Sequence, residues 1–169
     1  ALNEANDNES SRIVQMIDFF KFKHHIAIVF ELLDISLMKL IENTGFTGFP
    51  FHEISEISIQ LINGLKSAKY ANIIHADLKP ENILFERKNS MAVKLIDWGS
   101  AIFLNQQPPS YYQSRFYRAP EIIFGLVSNY NDIDIWSLGC IIAELFIGLP
   151  IFPGSSNYDQ LFKILNLLG

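Results

Sequence analysis

His75-Ala76-Asp77-Leu78-Lys79-Pro80-Glu81-Asn82 is the stretch on which the fold turns, together with Asp97-Trp98-Gly99 fifteen residues further on. A carboxylate, an ammonium and an amide fall within six residues, and a second carboxylate follows. An apolar helical pattern precedes the first segment and a short apolar run follows it. The polar residues are therefore expected on a loop held between rigid elements.

Outward from that loop, residues 53–70 read as a helix. Ile54, Ile57, Leu61, Leu65 and Ala68 recur at spacings of three and four and form one apolar stripe. Pro50 and His52 suit its entrance. Ile83-Leu84-Phe85 and Val93-Lys94-Leu95-Ile96 read as short strands around a polar turn at 86–90, which places Asp97 just beyond a strand end. Nearer the N-terminus, residues 13–17 and 26–30 read as neighbouring strands joined by a polar link at 21–25. Residues 106–113 have no period and read as a loop. Residues 134–147 are apolar nearly all round, as for a helix at the centre of a core. Tyr158, Leu161, Ile164, Leu165 and Leu168 make a last amphipathic helix.

Composition bounds the class. The 169 residues suffice for one core-bearing domain, and the 49% apolar share, with 14 Phe, argues against disorder. A net charge of −5 without a basic run gives no sign of nucleic-acid binding. The single cysteine, Cys140, excludes an intramolecular disulfide and fits a reducing, intracellular setting, in nucleus or cytoplasm. Residues 1–11 are polar and acidic and show no signal peptide. The apolar stretch 138–152 contains Glu144 and Pro150 and is short for a bilayer, so a buried helix is expected and no membrane partner. No Cys/His cluster supports zinc. The chain carries no signal for an oligomeric state.

The loop residues divide into chemical tasks. Asp77 is placed to orient a substrate hydroxyl or accept its proton. Lys79 can reach a transferring phosphate as a point charge. Asn82 and Asp97 offer hard oxygens to magnesium, which takes few protein ligands plus phosphate oxygens. An isolated Asp-x-Lys would read as an ordinary charged surface loop. The full spaced set matches a pattern already known for phosphoryl transfer from ATP. His75 reads as a packing residue, since Asp77 already fills the base role.

At this point the chain resembles a eukaryotic protein kinase. Besides the two motifs it has Arg118-Ala119-Pro120-Glu121, similar to the family's Ala-Pro-Glu segment, and Asp134-Ile135-Trp136-Ser137-Leu138-Gly139, similar to its Asp-x-Trp-Ser-x-Gly helix start. Tyr111-Tyr112-Gln113-Ser114-Arg115-Phe116-Tyr117-Arg118 and Ile74-His75-Ala76-Asp77-Leu78-Lys79 resemble the dual-specificity tyrosine-regulated and homeodomain-interacting kinases of the CMGC group. Ala76, where most kinases carry Arg, and Pro109, where the first tyrosine of the dual-specificity pattern would stand, favour the homeodomain-interacting branch or a divergent relative.

The resemblance implies an α+β, kinase-like fold in truncated form. Residues 1–33 would be a remnant of the N-lobe and hinge, and residues 34–169 a partial, mainly helical C-lobe. It implies a serine/threonine kinase acting on protein substrates with ATP and Mg2+. Asp77 and Lys79 would be catalytic, and Asn82 and Asp97 would hold the metal. Glu31 and Leu33 would offer backbone groups to adenine, with Leu84 as its floor. Tyr111 matches an autophosphorylated activation-loop tyrosine, which Arg115 and Arg118 could clamp by charge-assisted bonds; the plainer reading is an unmodified loop aromatic. Arg118 goes with a preference for proline after the target residue. Asp134 would bond the backbone of the catalytic loop, and Glu121 would pair with a late arginine. Trp98 replaces the usual Phe, and no glycine-rich loop or strand lysine precedes Ile13. These two departures support an alternative, a catalytically inactive, pseudokinase-like binding module.

Overall fold

The computed structural model describes residues 11–104, 106, 112–126 and 132–169. Among these, five helices and six strands form an α+β arrangement in which the strands pair as three two-stranded ribbons. Strands β1 (Met16–Phe22) and β2 (His25–Phe30) make an antiparallel hairpin, with an irregularity between Met16 and Asp18. The first strand starts three residues later than the sequence predicts. Ile13 and Val14 instead turn inward, fully or nearly buried, and join another ribbon. Ile13 bridges Leu95, and the Val14 N–H donates to the Leu95 carbonyl at 3.0 Å.

Helix α1 (Leu37–Asn43) has no counterpart in the sequence reading. Ser36 caps it by accepting the Lys39 N–H, and it buries only Leu37 and Ile41, one turn apart. Helix α2 (Phe51–Tyr70) starts two residues earlier than expected, with Pro50 at its entrance. Its apolar stripe is buried as the spacing predicts: Ile54, Ile57, Leu61, Leu65 and Ala68 are all in the core. The stripe packs on the ribbon of β4 (Ile83–Phe85) and β5 (Val93–Leu95). Gln60 lies in that seam without an unmet bond. Its Nε2 donates to the Met91 carbonyl at 2.9 Å and its Oε1 accepts the Val93 N–H at 3.0 Å.

A third ribbon pairs β3 (Ile73–Ile74) with β6 (Ile102–Phe103). After the short α3 (Pro120–Ile123), α4 (Ile133–Ile147) crosses the core, burying Leu138, Ile141 and Leu145. It is not enclosed all round as expected: Ile135, Phe146 and Ile147 are exposed. Gly148 ends α4 at φ +87°, and a Cβ there would overlap the Phe46 carbonyl. Gly48 meets the Phe146 carbonyl equally closely from the other side. Two backbones thus touch with no side chain between them. Helix α5 (Asn157–Leu168) is capped by Ser156. Of its apolar stripe only Ile164 is deeply buried, while Tyr158, Leu165 and Leu168 are exposed. No helix among the described residues is long and apolar enough to cross a membrane.

Candidate active site

The loop after β3 hangs from the start of α4. The Asp134 carboxylate accepts the His75 N–H at 2.7 Å and the Ala76 N–H at 3.0 Å. Ala76 can present its N–H there because its backbone adopts φ +63°, an uncommon value for a residue with a Cβ. His75 is fully buried. Its Nε2 lies 2.9 Å from the Ile96 carbonyl, and its Nδ1 lies 3.3 Å from the Asp77 N–H. With these two partners Nε2 takes the donor role and Nδ1 the acceptor role. The Trp98 ring packs against it with centroids 4.6 Å apart. The histidine therefore ties the Asp77 loop to the Asp97 loop.

Asp77 is the hub of the next layer. Its Oδ2 accepts from Lys79 Nζ at 2.8 Å. Its Oδ1 accepts from the Ser114 N–H at 3.0 Å and the Ser114 hydroxyl at 2.7 Å. Lys79 Nζ also reaches Ser114 Oγ at 3.2 Å. Asn82 Nδ2 donates to the Asp77 carbonyl at 2.9 Å. Burial pushes the Asp77 carboxyl up, but the bonds from Lys79 and Ser114 outweigh it and hold the group below its ordinary value. Asp77 is thus an ionised acceptor at neutral pH. The sequence reading gave Ser114 no role; its only signal is its place within Gln113-Ser114-Arg115.

A cavity of about 810 Å³ opens beside this cluster, between the hairpin and the β4–β5 ribbon. Glu31, Leu33, Leu84 and Asp97 all line it, as does Val14. The Glu31 N–H donates to the Gln15 carbonyl at 3.0 Å, which pins the segment carrying Glu31 and Leu33 to the residue before β1. Asp97 adopts a left-handed backbone (φ 57°, ψ 68°), and its Oδ1 has one long bond, 3.4 Å, from the Gly99 N–H. Asn82 sits next to it, since the Ile96 N–H donates to the Asn82 carbonyl at 3.0 Å. Nδ2 is engaged by Asp77, so the amide oxygen is the atom that Asn82 can offer a metal. One carboxylate and one amide oxygen suit magnesium completed by phosphate oxygens and water. Among the described residues no group of three or more His, Cys, Asp or Glu forms an all-protein metal cage.

Neither arginine lines that cavity, and Arg115 instead borders a smaller one together with Lys79 and Ser114. Arg115 donates to the Ser155 carbonyl at 2.9 Å, and its buried Nε has no partner among the described residues. Arg118 is buried and donates to the Gln113 carbonyl at 2.7 Å through Nη2, to the Tyr112 carbonyl through Nε, and to Asn157. Tyr111 lies outside the described residues, as does Pro109.

Residues 2–168 match the family model described as protein kinase domain. Serine/threonine-protein kinase ppk15 of Schizosaccharomyces pombe is 49% identical over 170 residues, covering 99% of this chain and 32% of the relative. Dual specificity tyrosine-phosphorylation-regulated kinase 4 of Homo sapiens is 43% identical over 169 residues, covering all of this chain and 32% of the relative. Probable serine/threonine-protein kinase yakA of Dictyostelium discoideum is 46% identical over 170 residues, again covering all of this chain but 12% of the relative. The chain thus spans a third or less of the length of these relatives. It belongs to the protein kinase family, and within that family it is similar to the dual specificity tyrosine-phosphorylation-regulated kinases.

Proposed function

We propose that the protein transfers the γ-phosphate of magnesium-bound ATP to serine or threonine hydroxyls of protein substrates. The observation that carries this reading is the Asp77–Lys79–Ser114 cluster set beside a cavity edged by Glu31, Leu33 and Asp97. Bound magnesium supplies charge neutralisation between the phosphates, and Asn82 and Asp97 would hold it. Asp77, ionised and aimed by its bonds, orients the incoming hydroxyl and takes its proton. Lys79, already paired to Asp77, places a positive charge where the phosphate crosses. Leu84 floors the purine, and the Glu31 carbonyl and Leu33 peptide read its edge.

Three finer readings belong to the same proposal. The Gln113 carbonyl is taken up by Arg118, so a substrate residue after the target finds no acceptor for its N–H; proline, which has no N–H, loses nothing there. Phosphorylated Tyr111 would be met by Arg115, whose Nε has a bond to give, and by Arg118. The lobe division at residue 33/34 is supported by the Asp34 N–H, which donates to the Phe85 carbonyl at 2.8 Å and so joins the chain to the β4–β5 ribbon. We also place the protein inside the cell, in nucleus or cytoplasm, on its single, buried Cys140.

The test is Asp97→Asn in the protein at its natural length. Phosphotransfer should fall by orders of magnitude; wild-type turnover would remove the metal role of Asp97. Failure of the folded wild-type protein to bind magnesium–ATP in calorimetry would favour the binding-module alternative.

A further inference from the structure

Glu31 is fastened more firmly than a residue offering only its carbonyl to a ligand needs to be. Its carboxylate accepts Lys94 Nζ on both oxygens, at 2.7 and 2.8 Å, and also accepts the Gln15 N–H at 2.7 Å. Its own N–H returns to the Gln15 carbonyl. Both partners of the ion pair are mostly shielded, with side-chain exposures of 19% for Lys94 and 23% for Glu31. Such shielding reduces screening and makes the pair more than a loose surface contact.

The position of Lys94 gives the pair its meaning. Lys94 stands directly opposite Leu84 in the β4–β5 ladder, so the two side chains lie on one face of the ribbon. Leu84 lines the cavity floor. Three residues beyond Lys94 the same strand delivers Asp97. The ammonium therefore ties the edge of the cavity to its floor and to the strand that leads to Asp97.

We propose that Lys94 is a positioning residue for purine recognition. Through its bond to both Glu31 oxygens it fixes the Glu31–Leu32 peptide at the angle at which the carbonyl faces the purine edge. It touches neither the nucleotide nor the transferring phosphate. The inference rests on the nucleotide reading of the cavity given above. It adds a residue that acts on affinity alone, because fixing a bound geometry in advance removes an ordering cost from binding.

The experiment compares wild type, Lys94→Met and Lys94→Arg in the protein at its natural length. Calorimetry measures adenosine and magnesium–ATP, and steady-state rates are measured at saturating ATP. Lys94→Met should weaken both ligands by the same factor, about fivefold to tenfold, while kcat changes less than about twofold, well under 1 kcal/mol in barrier. Lys94→Arg, which keeps a two-pronged donor, should recover most of the affinity. Equal adenosine affinity in wild type and Lys94→Met would overturn the proposal. So would a loss confined to kcat, or a loss for ATP without one for adenosine. If Lys94→Met does not fold, Glu31→Gln removes the same charge pair from the other side and must show the same uniform weakening. A wild-type protein that binds neither ligand would overturn the nucleotide reading itself, a result distinct from binding that ignores Lys94.

Discussion

Asp134→Asn is the substitution whose cost can be worked most directly from the structure. The native carboxylate holds two buried N–H groups, those of His75 and Ala76, one on each oxygen. The amide offers one oxygen and one NH2, so one of the two peptide donors faces another donor. A hydrogen bond to a charged group contributes about 1.5–3 kcal/mol, and a buried donor left without a partner costs about 1–3 kcal/mol. Against this, the neutral amide escapes the burial that pushes the Asp134 carboxyl above its ordinary range. The balance is a loss of about 2 kcal/mol, a large part of the 5–15 kcal/mol typical of a domain. The functional effect should be larger, because the same two bonds place Asp77. A shift of about 1 Å in a reacting group costs on the order of a hundredfold in rate. Urea unfolding of wild type and Asp134→Asn reads the first quantity, and phosphotransfer at saturating ATP reads the second. Equal urea midpoints with undiminished turnover would refute the claim that the loop hangs from the helix.

Trp98→Phe should remove the indole bond to the Leu95 carbonyl and part of the His75 contact, at a cost of about 1 kcal/mol. Asp97 stays in place, so magnesium–ATP affinity should remain within about threefold; a drop beyond tenfold in calorimetry would mean that Trp98 positions Asp97 itself. Glu144→Gln gives a pH signature. Burial raises the Glu144 carboxyl, the Tyr117 hydroxyl pulls it back, and Glu81 raises it further. A carboxyl whose folded value lies above its unfolded one favours the native state fully below the unfolded value. That advantage is lost as pH rises toward the folded value. The glutamine cannot titrate and still accepts the Tyr117 hydroxyl. It should therefore gain melting temperature over wild type at pH 7.5 and lose that gain near pH 4; parallel melting curves across this range would contradict the assignment.

The sequence was most legible where one residue type serves one geometric demand. The stripe of α2 was readable because five apolar residues repeat over fifteen positions. The grouping of the loop side chains was readable because Asp77, Lys79 and Asn82 fall within six positions, and the structure brings these three together. Helix α1 escaped because seven residues show only one i,i+4 pair; Ser36 before Leu37 and Ile41 was the available signal. The first strand was set too early because Ile13 and Val14 are as β-prone as Phe19 and Phe20, and only the tertiary partner Leu95 separates the two pairs. Ser114 escaped for a similar reason: its bonds to Asp77 and Lys79 cross 37 and 35 residues. Pro109 and Ala76 point toward the homeodomain-interacting branch or a divergent relative, and the relatives named above include one dual specificity tyrosine-phosphorylation-regulated kinase.

The seam at Gly48 and Gly148 bears on how this chain can drift in sequence. Because the Phe46 and Phe146 carbonyls fill the places where Cβ atoms would stand, the gap between the loop before α2 and the end of α4 is set by main chain alone. Phe49 packs on the core beside this corner and Phe51 lies against the Phe146 ring, but neither side chain stands between the two glycines. The two glycines cannot exchange singly, since either new methyl group would push both segments apart. The backbone at this corner is therefore frozen, and the spacing of α2 and α4 there is inherited from two positions that contribute no side chain.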